Sequence, residues 1–165
     1  MTKKPISILA INPGSRYIGT AVFFGFDLID WRVKNVDAYI PSEKLRKASA
    51  IVRSFIDEYQ PSILVVKKLH RCRSSATLKS LVGRIKQLAR KRHLKVYQYS
   101  IKETEAFFSQ QRKINKRQLA RLLSQKYPAL FYEFQKEAFN KNPYHIRAFE
   151  AVALGAVCSQ QLDKK

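Results

Sequence analysis

The residues best placed to do chemistry stand where apolar runs end. Residues 8–11 form the first such run, which ends in Asn12 and turns through Pro-Gly-Ser before a second run resumes after Gly19. An apolar run bounded by turn residues indicates a buried strand and the start of a hairpin. Many α/β enzymes mount a catalytic group at such a strand exit, and here that group is a neutral amide.

A carboxylate in the last helix is a second candidate. The helix is predicted from Tyr144 toward Gln161, and at 100° per residue Glu150 falls in the same arc as Phe149 and Ala153. A carboxylate on a buried face is costly unless it is paired. Glu150 therefore needs either a backbone donor or a cation as its partner.

A zinc site is not expected. His70, Arg71 and Cys72 could form half of one, but no second pair stands at ligand spacing. The two cysteines, Cys72 and Cys158, fit a reduced cytoplasmic protein.

The composition predicts a single globular domain, residues 1–165, with a polyanionic partner. Lys and Arg number 32 against 12 Asp and Glu, a formal net charge of +20. Such an excess favours nucleic acid or an anionic membrane. No apolar run approaches the length of a membrane span, and the N-terminus lacks the apolar centre of a signal peptide, so a membrane role is not expected.

The order of the predicted elements indicates an α/β fold with a mixed sheet. The opening hairpin is followed by a third antiparallel strand over residues 28–39, a helix whose N-cap is expected at Ser42, and a wholly apolar strand over residues 63–66 that ends in Lys67. A basic helix runs to about His93, and a strand, a short helix over residues 101–108 and a helix capped by Asn115 and Gln118 follow. Residues 127–142 show no clear period. Three antiparallel strands followed by parallel strands, with helices on both faces, are expected.

The first strand resembles that of the RuvC-like Holliday-junction resolvases, within the ribonuclease H-like superfamily. That family reads apolar-apolar-Gly-Ile-Asp-Pro-Gly-Ser-Arg, and this chain matches through Pro13-Gly14-Ser15-Arg16. The resemblance extends to most of the chain and implies the ribonuclease H-like fold, branched DNA as the ligand and a homodimer.

The catalytic positions implied by the resemblance have lost most of their acids. Asn12 replaces an Asp metal ligand, Lys67 a Glu, and Arg147 the first Asp of the last helix, so that Glu150 alone remains. Two-metal hydrolysis requires oxygen ligands around divalent ions. A unit charge about 4 Å from such an ion, at an effective dielectric constant near 20, costs on the order of 8 kcal/mol. Other acids, such as Glu103 and Glu105, are expected away from the strand exits, so no metal site is predicted.

The same comparison suggests what replaced the metal ions. An acid has become Lys67 at a strand end that faces the remaining acid. We expect Lys67 and Glu150 to form a partly buried ion pair with Asn12 hydrogen-bonded beside them. The alternative is that Lys67 points to solvent and contacts DNA.

Basic residues near these positions are the predicted nucleic-acid contacts. The basic helix has no interleaved acids on its outer face, which favours phosphate contact over an ordinary solvated face. The candidates lie in the first turn, the loop after Lys67 and this helix: Arg16, Arg71, Arg73, Lys79, Arg84, Lys86 and Arg90.

Three functions remain open from the sequence. The first is a nucleic-acid-binding pseudoenzyme on a resolvase-like fold, and the second is a Holliday-junction resolvase or other nuclease with an atypical Mg²⁺ site. The third is a structural subunit that docks on RNA or on an acidic protein. No cofactor is expected unless the nuclease alternative holds.

Overall fold

The sheet is mixed, as predicted. The computed structural model describes residues 5–109, 113–140 and 143–163, without the side chains of residues 137–145. Within these ranges five strands are arranged in the order β3-β2-β1-β4-β5. They are β1 (Ser7–Asn12), β2 (Tyr17–Phe24), β3 (Asp27–Asn35), β4 (Ile63–Lys67) and β5 (Lys95–Tyr99). The first three pair antiparallel, and β4 and β5 add in parallel beside β1, which confirms the expected α/β fold.

Helices cover both faces of the sheet. They are α1 (Pro41–Tyr59), α2 (Ala76–Lys91), α3 (Ile101–Phe108), α4 (Lys116–Lys126), α5 (Phe131–Asn140) and α6 (Pro143–Asp163). Helices α1 and α2 pack on one face, and α6 and α4 pack on the other. Helices α3 and α5 contact α6.

The alternation of side chains along β1 decides which face the candidate site occupies. Leu9 and Ile11 pack toward α1 and α2, whereas Ile8 and Ala10 pack toward α6. Both sets are apolar because the strand is buried on both faces. Asn12 continues the Ile8 and Ala10 series, so its side chain faces α6.

Two glycines let α6 lie very close to the sheet. A Cβ atom at Gly19 would lie 2.0 Å from the carbonyl oxygen of Arg147. A Cβ atom at Gly155 would lie 2.3 Å from the ring of Phe23. These contacts fix the position of α6 relative to the strand exits, and with it the positions of Arg147 and Glu150.

Local signals gave most element boundaries correctly. The capping box of Asn115 and Gln118 is present, and α3 spans residues 101–108 as predicted. Ser42 is not the N-cap of α1: the cap position is Ile40, no side chain caps it, and Pro41 begins the helix. The stretch after Tyr127, which showed no clear period, contains a short 3-10 helix (Pro128–Leu130) and α5.

Candidate functional site

The candidate site lies at the carboxyl ends of β1 and β4. The two strands are parallel neighbours, with Ile11 opposite Val66, so the next residues, Asn12 and Lys67, end at the same edge of the sheet. Both side chains face α6, which brings Glu150 to this edge.

Glu150 is the centre of the cluster. Its side chain is only 2% exposed, and the Nζ atom of Lys67 lies 3.5 Å from Oε2. Asn12 Nδ2 donates a hydrogen bond of 2.8 Å to the same oxygen. The predicted ion pair, with Asn12 beside it, is therefore present, and Lys67 does not point to solvent as in the alternative.

A second lysine contacts the other carboxylate oxygen. Lys116, at the start of α4, places its Nζ atom 3.1 Å from Glu150 Oε1. Oε1 has no partner with hydrogen-bond geometry among the described residues, so this contact is an ion pair rather than a hydrogen bond. The side chain of Lys116 is 55% exposed, so Glu150 links the partly buried Lys67 to a cation at the surface.

Asn12 is completely buried and connects the strand exit to α6. Besides Glu150, its Nδ2 atom reaches the carbonyl oxygen of Arg147 at 3.2 Å. Its Oδ1 atom has no hydrogen-bond partner within the described part of the chain. One buried acceptor is thus left open at the edge where the resemblance implies a metal ligand.

Arg147 adds a third cation. A Cβ atom at Gly14, in the turn after β1, would lie 2.9 Å from the guanidinium carbon of Arg147. The guanidinium group therefore lies over that turn, where glycine leaves it room.

The cations crowd one another. Burial lowers the pKa of Lys67, and the charges of Arg147 and Lys116 lower it further, while Glu150 opposes the shift. The lysine is thus held in a site that disfavours its charge, and Glu150 is the group that compensates for it.

These donors do not fit two divalent ions. Hard cations such as Mg²⁺ need several oxygen ligands, and the edge offers one carboxylate and one amide among three cations. Across the described ranges, no three His, Cys, Asp or Glu side chains are grouped so as to hold a metal ion.

One further acid is influenced by the charge of Glu150. Glu105, on α3, was predicted to lie away from the strand exits. Its pKa is raised, first by burial and then by the charge of Glu150, with Lys116 and Lys113 opposing. Helix α3 contacts α6, a packing that no local pattern in the sequence shows, and this brings Glu105 within electrostatic reach of Glu150.

The predicted nucleic-acid contacts divide into two groups. Arg16, Arg71 and Arg73 lie in the turn after β1 and the loop after β4, at the same edge as Lys67, and all are exposed. Arg16 also lies 3.8 Å from Asp37.

The other four, Lys79, Arg84, Lys86 and Arg90, lie on α2. This helix covers the opposite face and runs away from the edge, so Arg90 is about 21 Å along it from Ala76. The structure does not gather the seven residues into one patch.

Sequence reasoning missed Lys116. The capping box indicated that a helix begins there, but no local signal indicated that this helix packs against α6.

No helix of the described residues has both the length and the apolar character that crossing a membrane requires.

The comparisons with known proteins concern the fold. No protein-family model matches the chain, and no curated protein matches it in sequence. Among solved structures, RuvC of T. thermophilus, in complex with a Holliday junction substrate, aligns at a TM-score of 0.73 and 14% identity over 96% of both chains. The yeast mitochondrial Holliday junction resolvase Ydc2 aligns at 0.66 and 13% identity, over 95% of this chain and 80% of that one.

A fowlpox virus resolvase, solved with Holliday junction DNA, aligns at a TM-score of 0.64 and 15% identity over 95% of this chain and 99% of that chain. All three cover nearly the whole chain. The chain therefore has the RuvC-like resolvase fold that the first strand indicated.

Proposed function

We propose that this chain binds branched DNA and does not hydrolyse it. Support for binding comes from the net charge of +20 and from structural neighbours that were solved with Holliday junctions. The observation that favours binding over hydrolysis is the environment of Glu150. Two lysines and an asparagine occupy both oxygens of this carboxylate, which a metal ion would need.

The binding surface in this proposal is the edge around the cluster. Arg16, Arg71 and Arg73 are exposed there, and arginine matches the geometry of phosphate oxygens. Arg147 adds charge at the turn after β1. We further propose a cytoplasmic homodimer, so that two such edges would meet the arms of one junction.

The alternative is a metal-dependent nuclease with an atypical site. The observations that favour it are the raised pKa of Glu105, to which burial and then the charge of Glu150 contribute, and the open Oδ1 atom of Asn12. Hydrolysis would then require Lys67 and Lys116 to leave Glu150 when metal binds.

Labelled four-way junctions with Mg²⁺ or Mn²⁺ separate the two functions. We expect a retarded complex and no cleavage. Cleavage at the junction centre that Glu150→Gln abolishes would overturn the proposal and establish the nuclease. A triple variant, Arg16→Gln, Arg71→Gln and Arg73→Gln, should lose its preference for the junction over linear duplex, since these residues surround the proposed binding edge.

A further inference from the structure

A basic groove lies between α1 and α2, on the face of the sheet opposite Glu150. Its volume is about 400 Å³. The polar residues that line it are Arg46, Ser49 and Arg53 from α1, and Arg84, Gln87 and Lys91 from α2. We call it the α1–α2 groove.

The two helices contribute the same pattern. Each supplies a cation, a neutral polar residue three positions later and a second cation seven positions after the first. The cations on one helix are therefore about 10.5 Å apart along its axis. Strands β3 and β4 both run in the same direction as β1. Helix α1 follows β3 and α2 follows β4, so both helices begin at the carboxyl edge of the sheet and run in the same direction. The groove thus has two parallel rows with two cations each.

These four charges have no acidic partner within the described part of the chain. None of Arg46, Arg53, Arg84 and Lys91 belongs to a salt bridge there. The nearby Asp57 pairs instead with Arg92, at 2.8 Å. An ordinary solvated helix face intersperses both signs of charge, whereas cations concentrated in a cleft attract a polyanion.

The lining of the groove identifies the kind of polyanion. No aromatic side chain lines it, so it lacks the stacking surface on which single-stranded bases bind. Three arginines and a lysine, with Ser49 and Gln87 as hydrogen-bond donors, instead suit the sugar-phosphate backbone of a duplex. A second copy of the chain, placed by a two-fold axis, would bring the same cations against one another.

We propose that the α1–α2 groove is a second DNA site, which holds the backbone of an unbranched duplex arm without reading its sequence. This inference rests on the proposed function because its ligand is DNA, but the binding site is a different surface of the molecule. Of the four sequence-predicted residues on α2, only Arg84 lines it, and Arg46, Arg53 and Lys91 are additional.

The test compares two variants with equal loss of charge. The groove variant carries Arg46→Gln, Arg53→Gln, Arg84→Gln and Lys91→Gln. The control carries Lys95→Gln, Arg121→Gln, Lys126→Gln and Lys136→Gln, four exposed cations that do not line the groove. Circular dichroism and the melting temperature establish that both are folded.

Binding is measured on a linear duplex of two helical turns and on a four-way junction with such arms, over a series of salt concentrations. We expect the groove variant to lose about tenfold or more in affinity for both DNAs. The slope of log affinity against log salt concentration should be smaller in magnitude by about 2–4, because each lost phosphate contact reduces it by close to one. The control should lose far less. Equal losses in the groove and control variants would overturn the inference.

The same measurements keep this inference separate from the proposed function. The groove variant should retain the ratio of junction to duplex affinity, whereas the triple variant at the site edge should lower that ratio. If only the edge variant has an effect, the groove site is wrong and the proposed function stands. If only the groove variant has an effect, DNA binds at α1 and α2 and the edge proposal is wrong.

Discussion

At Glu150, one buried carboxylate compensates for two ammonium groups and accepts a hydrogen bond from an amide. Local patterns place Lys67 at a strand end and Glu150 on a buried helical arc, and the family resemblance indicated that these two positions face each other. Lys116 could not be placed in this way, because its position depends on how α4 packs against α6. The sequence therefore predicted the composition of the site but underestimated its positive charge.

The first prediction concerns the coupling of Lys67 and Glu150. Glu150→Gln removes the charge that compensates for the partly buried Lys67, and we expect a loss of about 3–5 kcal/mol in the free energy of unfolding. Lys67→Met should cost less, since Lys116 and Asn12 still contact the carboxylate. The double variant should lose less than the sum of the two, by about 0.5–3 kcal/mol.

Urea unfolding of the four proteins gives this coupling. Lys68→Met, at the exposed neighbouring lysine, is the control and should change stability little. Strictly additive losses would mean that the ion pair contributes nothing to folding.

The second prediction tests whether this cluster stands where metal ions once bound. The variant Asn12→Asp, Lys67→Glu and Arg147→Asp restores the acids that the resemblance implies. Lys116→Gln must be added, because its ammonium group would otherwise remain 3.1 Å from Glu150. We expect Mg²⁺ to raise the melting temperature of the quadruple variant and not of the wild type, since an ion that binds only the folded state stabilises it.

The triple variant that retains Lys116 is the matched control. It should respond more weakly, since a cation beside the ligands opposes the metal charge. If Mg²⁺ stabilises none of these proteins, the positions do not line a converted metal site.

At the scale of elements, the packing of α6 on the sheet positions the site. Gly19→Ala would place a methyl group on the carbonyl oxygen of Arg147, a backbone atom that no side-chain rotation can move. We expect a loss of more than about 2 kcal/mol in the free energy of unfolding, because overpacking displaces the backbone. Gly83→Ala is the matched control. It has no neighbour within 4 Å on α2, so it should stabilise the protein by about 0.5–1 kcal/mol.

Thermal unfolding followed by circular dichroism checks both glycines. Equal effects at Gly19 and Gly83 would show that helix α6 tolerates a shift away from β2.

The elements themselves were predictable to different degrees. β1 and β4 were clear because strands buried on both faces read as continuous apolar runs. α4 was clear because the capping box of Asn115 and Gln118 marks where the helix begins. α5 was not, since the residues after Tyr127 are aromatic and basic without a helical period. No local sequence pattern predicts that α6 packs against Gly19, because this contact forms only when the sheet is folded.

At the scale of the whole molecule, the net charge of +20 acts on every association that the chain forms. The positive charge of the chain attracts the phosphates of DNA. Salt weakens this attraction because it reduces the entropy gained when counterions are released. Two copies of the chain repel each other, and salt screens this repulsion, with a Debye length of about 10 Å at 0.1 M. The two associations should therefore respond to salt in opposite directions.

The last prediction follows for the proposed homodimer. Sedimentation equilibrium from about 50 mM to about 500 mM salt should show the dimer strengthening as repulsion is screened, while DNA affinity falls over the same range. The groove variant, which has four fewer positive charges, should dimerise more readily than the wild type at low salt and equally at high salt. A dimer that weakens with salt would mean that complementary charges across its interface outweigh the net repulsion. A monomer at every salt concentration would show that the homodimer prediction is wrong.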